Sequence, residues 1–138
     1  MLPKRRQLHA RFERRELYVC APTPLQYGVV AGLGMPDQYY ADLSKSYAVK
    51  REILCSALKD AGLTPCVPRG AYYVLADVRR LGVPTAKATA MLLLDRVKIA
   101  SVPATSFHAD PVGETLTRFC FAKEDDVLEE AARRLRAL

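Results

Sequence analysis

At 138 residues the chain has the size of one domain, and its composition, 50% hydrophobic and 26% charged, excludes the low-hydrophobicity pattern of disordered proteins. No apolar run approaches the roughly 18 residues that cross a bilayer, and no apolar stretch follows the basic start as in a signal peptide, so a cytoplasmic location is the default expectation. The net charge of +6 comes partly from clustered cations near both ends, but only one aromatic residue, Phe12, lies among them, so nucleic-acid binding is the least favoured function.

Two helices are predicted in the first half of the chain. Thr23 as an N-cap, followed by a proline at the first helical position and by Gln26 at the third, fits a capping box. This pattern predicts a short apolar helix over residues 24–33. Asp37 can then cap a longer amphipathic helix, which stops at Gly62.

The pattern changes after this long helix to extended segments that are punctuated by proline. The remaining predicted elements, in chain order, are strands over 64–67 and 71–77, a helix from a Thr85 cap to about residue 95, a strand over 97–102, a loop over 103–113, a strand over 116–122 and a helix over 125–138. In the last of these helices, one apolar stripe is predicted through Leu128, Ala131, Leu135 and Leu138. The order of elements predicts an α/β (α+β) fold, in which a small sheet is covered by helices.

Arg118 is the first candidate for a binding residue. Alternation along the predicted strand over 116–122 places it on one face with Cys120 and Ala122. A guanidinium among small and apolar neighbours is costly unless an anion meets it, and a carboxylate is its natural bidentate partner. The alternative is an arginine near a strand edge that reaches water or pairs with an acid of the chain such as Glu114. The pattern alone favours neither interpretation.

Two further segments could contribute to a site. Gly70 allows a close approach of the backbone, and the pair Tyr72 and Tyr73 offers a hydroxyl to a pocket, although a turn with core aromatics is the favoured interpretation of the pattern. Thr105 and Ser106 place two hydroxyls in a loop between strands, where most such loops merely turn.

The sequence predicts neither a metal site nor a nucleophile with its base. The two histidines, His9 and His108, are assigned no metal, and the four cysteines form no Cys-x-x-Cys pair, so reduced and mostly buried thiols are expected. No Gly-x-Ser-x-Gly elbow and no phosphate-binding glycine loop occurs.

Five runs in this order resemble the C-terminal part of the class I and II aminotransferases, in the aspartate aminotransferase superfamily of fold type I. The runs are Ala21-Pro22-Thr23-Pro24-Leu25-Gln26, Tyr39-Tyr40-Ala41-Asp42-Leu43 with Tyr47 and Lys50-Arg51, Pro68-Arg69-Gly70-Ala71-Tyr72-Tyr73, Val102-Pro103-Ala104-Thr105-Ser106-Phe107, and Thr117-Arg118-Phe119-Cys120-Phe121-Ala122-Lys123 followed by Leu128. The last run is especially similar to the branch that handles kynurenine, methionine and aromatic amino acids.

This resemblance implies roles for the candidate residues. Arg118 falls on the arginine that grips the substrate α-carboxylate in the family, and Tyr72 and Tyr73 would line or support the small-domain side of the cleft. Thr105 and Ser106 fall on a loop near the substrate entrance that usually reads Pro-Gly-Ser-x-Phe. The implied organisation is a segment 1–34 that would pack on a large domain, an interdomain helix over 35–62 and a small domain over 63–138.

The family's Schiff-base lysine lies in a Ser-x-Ser-Lys type motif upstream of the Pro-Thr-Pro-Leu-Gln run, and no such motif precedes Thr23 here. The resemblance therefore implies pyridoxal 5'-phosphate (PLP) and an amino acid or 2-oxo acid substrate for the complete enzyme. We expect these 138 residues alone to bind no cofactor and not to transaminate, as a fragment would. The alternative is a non-catalytic module that associates with itself or with a partner, and a homo-oligomer is expected in either case.

Overall fold

A computed structural model describes residues 21–108 and 110–138 of the chain. The predictions for the basic start, His9 and Cys20 lie outside these residues. The chain divides into two compact units, Met1–Tyr40 and Ala41–Leu138. Within the described ranges no helix is long and apolar enough to cross a membrane.

The first helix, α1, spans Thr23–Leu33, and none of its residues is buried. Its N-cap is Pro22, so the prediction that Thr23 caps this helix is wrong by one residue. The predicted capping box is also absent, because the Gln26 side chain donates its amide hydrogen to the carbonyl oxygen of Ala21 at 2.6 Å. A proline in the first turn still starts the helix, since its fixed φ suits that position.

The second helix, α2, spans Asp37–Asp60 and ends where the sequence predicts. Gly62 adopts a φ of 74°, which glycine tolerates better than any other residue. The backbone N–H of Leu63 donates to the carbonyl of Leu58 at 2.9 Å, and this bond closes the helix end. Arg80 adds a bond from outside the helix, because its Nη1 donates to the carbonyl of Ala61 at 2.8 Å.

A four-stranded antiparallel sheet forms the centre of the second unit. Its strands are β1 (Thr64–Cys66), β2 (Tyr73–Asp77), β3 (Val102–Pro103) and β4 (Leu116–Cys120), in the spatial order β1-β2-β4-β3. The register places Arg118 of β4 opposite Leu75 of β2 on one side and opposite Val102 of β3 on the other. The predicted small sheet covered by helices is therefore confirmed, and Arg118 lies on an inner strand.

The third helix, α3, spans Ala86–Val97 and begins at the predicted cap, where the Thr85 hydroxyl accepts the Ala88 N–H at 3.1 Å. The prediction of a strand over 97–102 is wrong for most of its length. The helix continues to Val97, and Lys98 then turns the chain with a φ of 57°. Strand pairing starts only at Val102.

Residues 103–115 contain more structure than the predicted loop. Pro103 belongs to β3, and two 3-10 turns follow, at Ala104–Ser106 and Pro111–Thr115. Gly113 is buried between these turns, where an added Cβ would lie 3.2 Å from the backbone nitrogen of Thr105. This glycine therefore permits the two turns to pack closely.

The last helix, α4, spans Asp125–Leu135 and packs against the sheet. Its buried stripe runs through Leu128, Ala132 and Leu135, so Ala132 takes the position that was predicted for Ala131. The core between the sheet and the three helices of this unit contains the following buried side chains: Leu54, Leu58, Val74, Ala76, Leu93, Phe119, Phe121, Leu128 and Leu135.

The prediction of mostly buried thiols is wrong for two of the three cysteines that are described. Cys55 is buried on α2, and burial raises the pKa of its thiol. Cys66 and Cys120 are exposed because strand alternation turns both away from the core.

Candidate functional site

Arg118 lies on the side of the sheet that faces away from the core. On β4 the side chains of Thr117 and Phe119 are buried, whereas Leu116 and Arg118 are half-buried and Cys120 is exposed. The neighbouring strand β2 alternates in the same way. We call the side formed by Tyr73, Leu75, Asp77, Leu116, Arg118 and Cys120 the open face.

Two aromatic rings lie close to the Arg118 guanidinium. Its central carbon is 4.9 Å from the ring centroid of Tyr73 and 4.1 Å from that of Phe107. Tyr73 belongs to β2 and Phe107 follows the turn after β3, so the rings come from the two opposite sides of β4. Each such contact stabilises a partly exposed cation by about 0.5–1 kcal/mol. We call Tyr73 and Phe107 the aromatic clamp.

No ion pair in the described part of the chain involves Arg118. The nearby acid of the open face, Asp77, instead forms an ion pair of 2.6 Å with Arg79. The hydrogen bond from the Arg79 side chain holds the pKa of the Asp77 carboxyl below its ordinary value. The pairing with Glu114 that was left open is not made, because Glu114 accepts the backbone N–H of Ala86 at 2.9 Å. Among the described residues, therefore, no acid occupies the donors of the Arg118 guanidinium.

Tyr72 and Tyr73 form an edge-to-face pair with ring centroids 5.6 Å apart. Tyr72 is exposed, whereas Tyr73 is half-buried beside Arg118, so only Tyr73 contacts the candidate residue. Ala71 precedes them with a φ of 66°, a left-handed conformation that costs an L-residue about 1–2 kcal/mol. Arg51 of α2 anchors this segment, because its Nη1 donates to the carbonyl of Pro68 at 3.0 Å.

The structure places Thr105 and Ser106 in the 3-10 turn after β3, and both are exposed. The ring contacts to Arg118 come instead from Tyr73 and from Phe107, the residue that follows Ser106. Phe107 stands at the end of a sequence motif, and no role was predicted for it. The feature of the sequence that could have indicated a role is an aromatic side chain next to the hydroxyls of Thr105 and Ser106.

A separate cleft of about 490 Å³ lies between α4 and residues 98–100. Apolar side chains such as Leu54, Ile99 and Phe119 line it, and its rim carries both lysines and acids. The sequence did not predict this cleft, because it depends on where α3 ends. Arg118 is not among its lining residues.

The comparisons with known proteins agree on one family. Residues 8–135 match the family described as aminotransferase class I and II. The chain is 30% identical to kynurenine–oxoglutarate transaminase 3 of Rattus norvegicus, over 86% of this chain and 30% of that protein. It is 33% identical to the methionine aminotransferase of Escherichia coli K12, over 84% of this chain and 30% of the relative.

Solved structures give the same result. N-succinyldiaminopimelate aminotransferase from Mycobacterium tuberculosis superposes with a TM-score of 0.77 at 31% identity, over 95% of this chain and 35% of that one. An Escherichia coli protein, identified by its crystal structure and reactivity as having a methionine aminotransferase function, gives a TM-score of 0.74 at 32% identity, over 88% of this chain and 32% of its own. The chain thus spans about a third of the length of these proteins.

Proposed function

Since this chain belongs to the class I and II aminotransferase family, we propose that it contributes the substrate-carboxylate side of a PLP-dependent aminotransferase site. Arg118 is the residue that would grip the α-carboxylate. The observation that carries this proposal is a half-buried guanidinium held between two rings, without an acidic partner among the described residues. Such a cation is stable when a carboxylate fills its two-pronged donor edge.

The proposed ligands are an amino acid donor and a 2-oxo acid acceptor. Relatives named for kynurenine, oxoglutarate and methionine support this class of ligand. Every member of the class carries a carboxylate next to the carbon that bears the amino or oxo group. A single arginine can therefore hold donors and acceptors in the same way, whatever their side chains. Tyr72, Tyr73, Thr105 and Ser106 are proposed to border the same ligand.

The described residues do not fit PLP by themselves. None of the four strands carries a lysine that could reach the open face. Lys50 of α2 pairs with Asp125 at 3.1 Å, and Lys98, which follows α3, donates to the carbonyl of Asp95 at 2.9 Å. The acid of the open face, Asp77, is bound to Arg79. Carboxylate binding is therefore the role that we propose for this chain.

Replacing Arg118 by leucine should weaken the binding of 2-oxoglutarate to this chain by roughly ten- to a hundredfold, because a charge-assisted hydrogen bond contributes about 1.5–3 kcal/mol. The dissociation constant can be measured by following amide shifts in a nuclear magnetic resonance titration. Arg96→Leu is the matched control, because Arg96 is an exposed arginine on α3. An equal loss in both variants, an unchanged Arg118→Leu, or a wild-type chain that does not titrate would contradict the proposal.

A second candidate function is a non-catalytic module that binds a second copy of itself. The observation that favours it is α1, where Leu25, Val29, Val30 and Leu33 are between 61% and 77% exposed. These positions follow helical spacing, and exposed apolar groups of this kind mark interaction surfaces.

We expect self-association through α1, seen as a molar mass that rises with protein concentration in light scattering after gel filtration. Val29→Lys should return the chain to a monomer, because a buried ammonium at the contact lacks a partner. Met91→Lys, at an exposed apolar position on α3, should leave the association unchanged. A wild-type mass equal to the monomer at every concentration would rule out this candidate.

A further inference from the structure

We propose that Phe107 is a positioning residue for Arg118: its ring fixes the orientation of the guanidinium and leaves the donor edge free for a carboxylate. This inference rests on the proposed function, since it explains how Arg118 would be kept ready for its ligand. It assigns a role to the phenylalanine at the end of the Pro103–Phe107 motif, for which the sequence predicted none.

The contact between Phe107 and Arg118 is a cation–π contact. A ring attracts the cation through its negative π-face, whereas the five N–H donors of arginine point outward in the guanidinium plane. The 4.1 Å separation between the central guanidinium carbon and the Phe107 centroid is that of a close cation–π contact. Because an aromatic ring supplies no strong acceptor, this contact leaves the N–H groups for hydrogen bonds elsewhere.

An aromatic partner of Arg118 differs from an acidic one in what it leaves free. A carboxylate of the chain would satisfy the same donors that a substrate carboxylate needs and would compete with it. The two acids considered above, Asp77 and Glu114, are bound to other groups, Asp77 to Arg79 and Glu114 to the backbone N–H of Ala86 at the start of α3. Orientation by rings alone therefore keeps the cation ordered and still able to bind an anion.

Core packing does not account for Phe107. Phe107 is 55% exposed, whereas Ala104, three residues earlier, is fully buried. The turn is held by the bond from the Phe107 N–H to the carbonyl of Ala104 at 2.9 Å and by the close approach of Gly113 to Thr105. The backbone of the turn therefore positions the ring, which contacts Arg118 and does not pack into the core.

The test uses the complete 138-residue chain, 2-oxoglutarate as the probe and three variants, Phe107→Leu, Phe107→Tyr and Phe107→Trp. Leucine keeps the apolar bulk but removes the π-face, so its dissociation constant should rise by about two- to fivefold, while tyrosine and tryptophan should bind like the wild type. Tyr27→Leu, at an exposed aromatic residue of α1, is the matched control and should change nothing.

A second readout needs no ligand. In the free chain the Arg118 side-chain protons should show upfield ring-current shifts that Phe107→Leu reduces and Phe107→Tyr retains, which a merely structural role would not produce. Suppose that Arg118→Leu loses binding, while Phe107→Leu keeps the wild-type dissociation constant and the wild-type shifts of the Arg118 protons. The positioning role is then wrong and the proposed function stands. If Arg118→Leu itself binds like the wild type, the proposed function fails and the inference fails with it.

Discussion

Phe121→Ala is expected to lower the free energy of unfolding by about 3–5 kcal/mol, the largest effect of any substitution considered. The Phe121 side chain is 1% exposed and lies just after β4, where it joins the sheet to the long helix α2. Its ring makes an edge-to-face contact with Tyr47 of α2 at 6.2 Å between centroids. Alanine would remove that contact and leave a cavity that the surrounding rigid elements could fill only in part.

Urea unfolding followed by circular dichroism measures this change, because the midpoint shifts while the slope stays constant if only stability is altered. Val127→Ala is the control: Val127 lies on α4 but is more than half exposed, so its truncation should cost no more than about 0.5 kcal/mol. Equal costs for the two substitutions would show that Phe121 is not part of the core.

Helices were predicted well from the sequence because their signals are local. Proline in the first turn of α1, the threonine before α3 and the glycine after α2 each act on backbone groups within four residues. The structure confirms these three helices to within two residues at their ends. In α4 the buried alanine is Ala132 and not the predicted Ala131. The sequence cannot distinguish two adjacent alanines, because only packing decides which of them is buried.

The prediction of a strand over 97–102 was wrong because strand propensity does not describe how the preceding helix ends. Val97 and Ile99 alternate as they would in a strand, yet the Ile99 N–H donates back to the carbonyl of Leu93 at 3.3 Å. The helix thus keeps these residues in its C-terminal turn, with Lys98 in the left-handed region. Local apolar alternation is compatible with either outcome, and only Val102 and Pro103 of this segment pair with β4.

The candidate site was predictable in part. Alternation along β4 placed Arg118 on the face away from Phe119, and the structure has this arrangement. The contact with Phe107 was beyond sequence reasoning, because it depends on the register between β3 and β4 and on a turn that begins directly after Pro103. The roles of Tyr72, Thr105 and Ser106 stay predictions.

Gly62→Ala is expected to destabilise the chain by about 2–3 kcal/mol, from two additive causes. The φ of 74° is a left-handed conformation that costs an L-residue about 1–2 kcal/mol. An added Cβ would also lie 1.4 Å from Nη1 of Arg80, so the arginine must move and give up its bond to the carbonyl of Ala61. The substitution therefore strains the end of α2 and removes the group that caps it.

Gly82→Ala separates these causes, since Gly82 has a similar φ of 67° but nothing within 4 Å of an added Cβ, and it should cost only about 1 kcal/mol. In an Arg80→Ala background the clash at residue 62 disappears, so Gly62→Ala should then cost no more than Gly82→Ala does. Thermal and urea unfolding of the four proteins of this cycle measure the coupling between the two positions. A Gly62→Ala chain as stable as Gly82→Ala, or additive costs with Arg80→Ala, would mean that the Arg80 guanidinium does not cap α2 in solution.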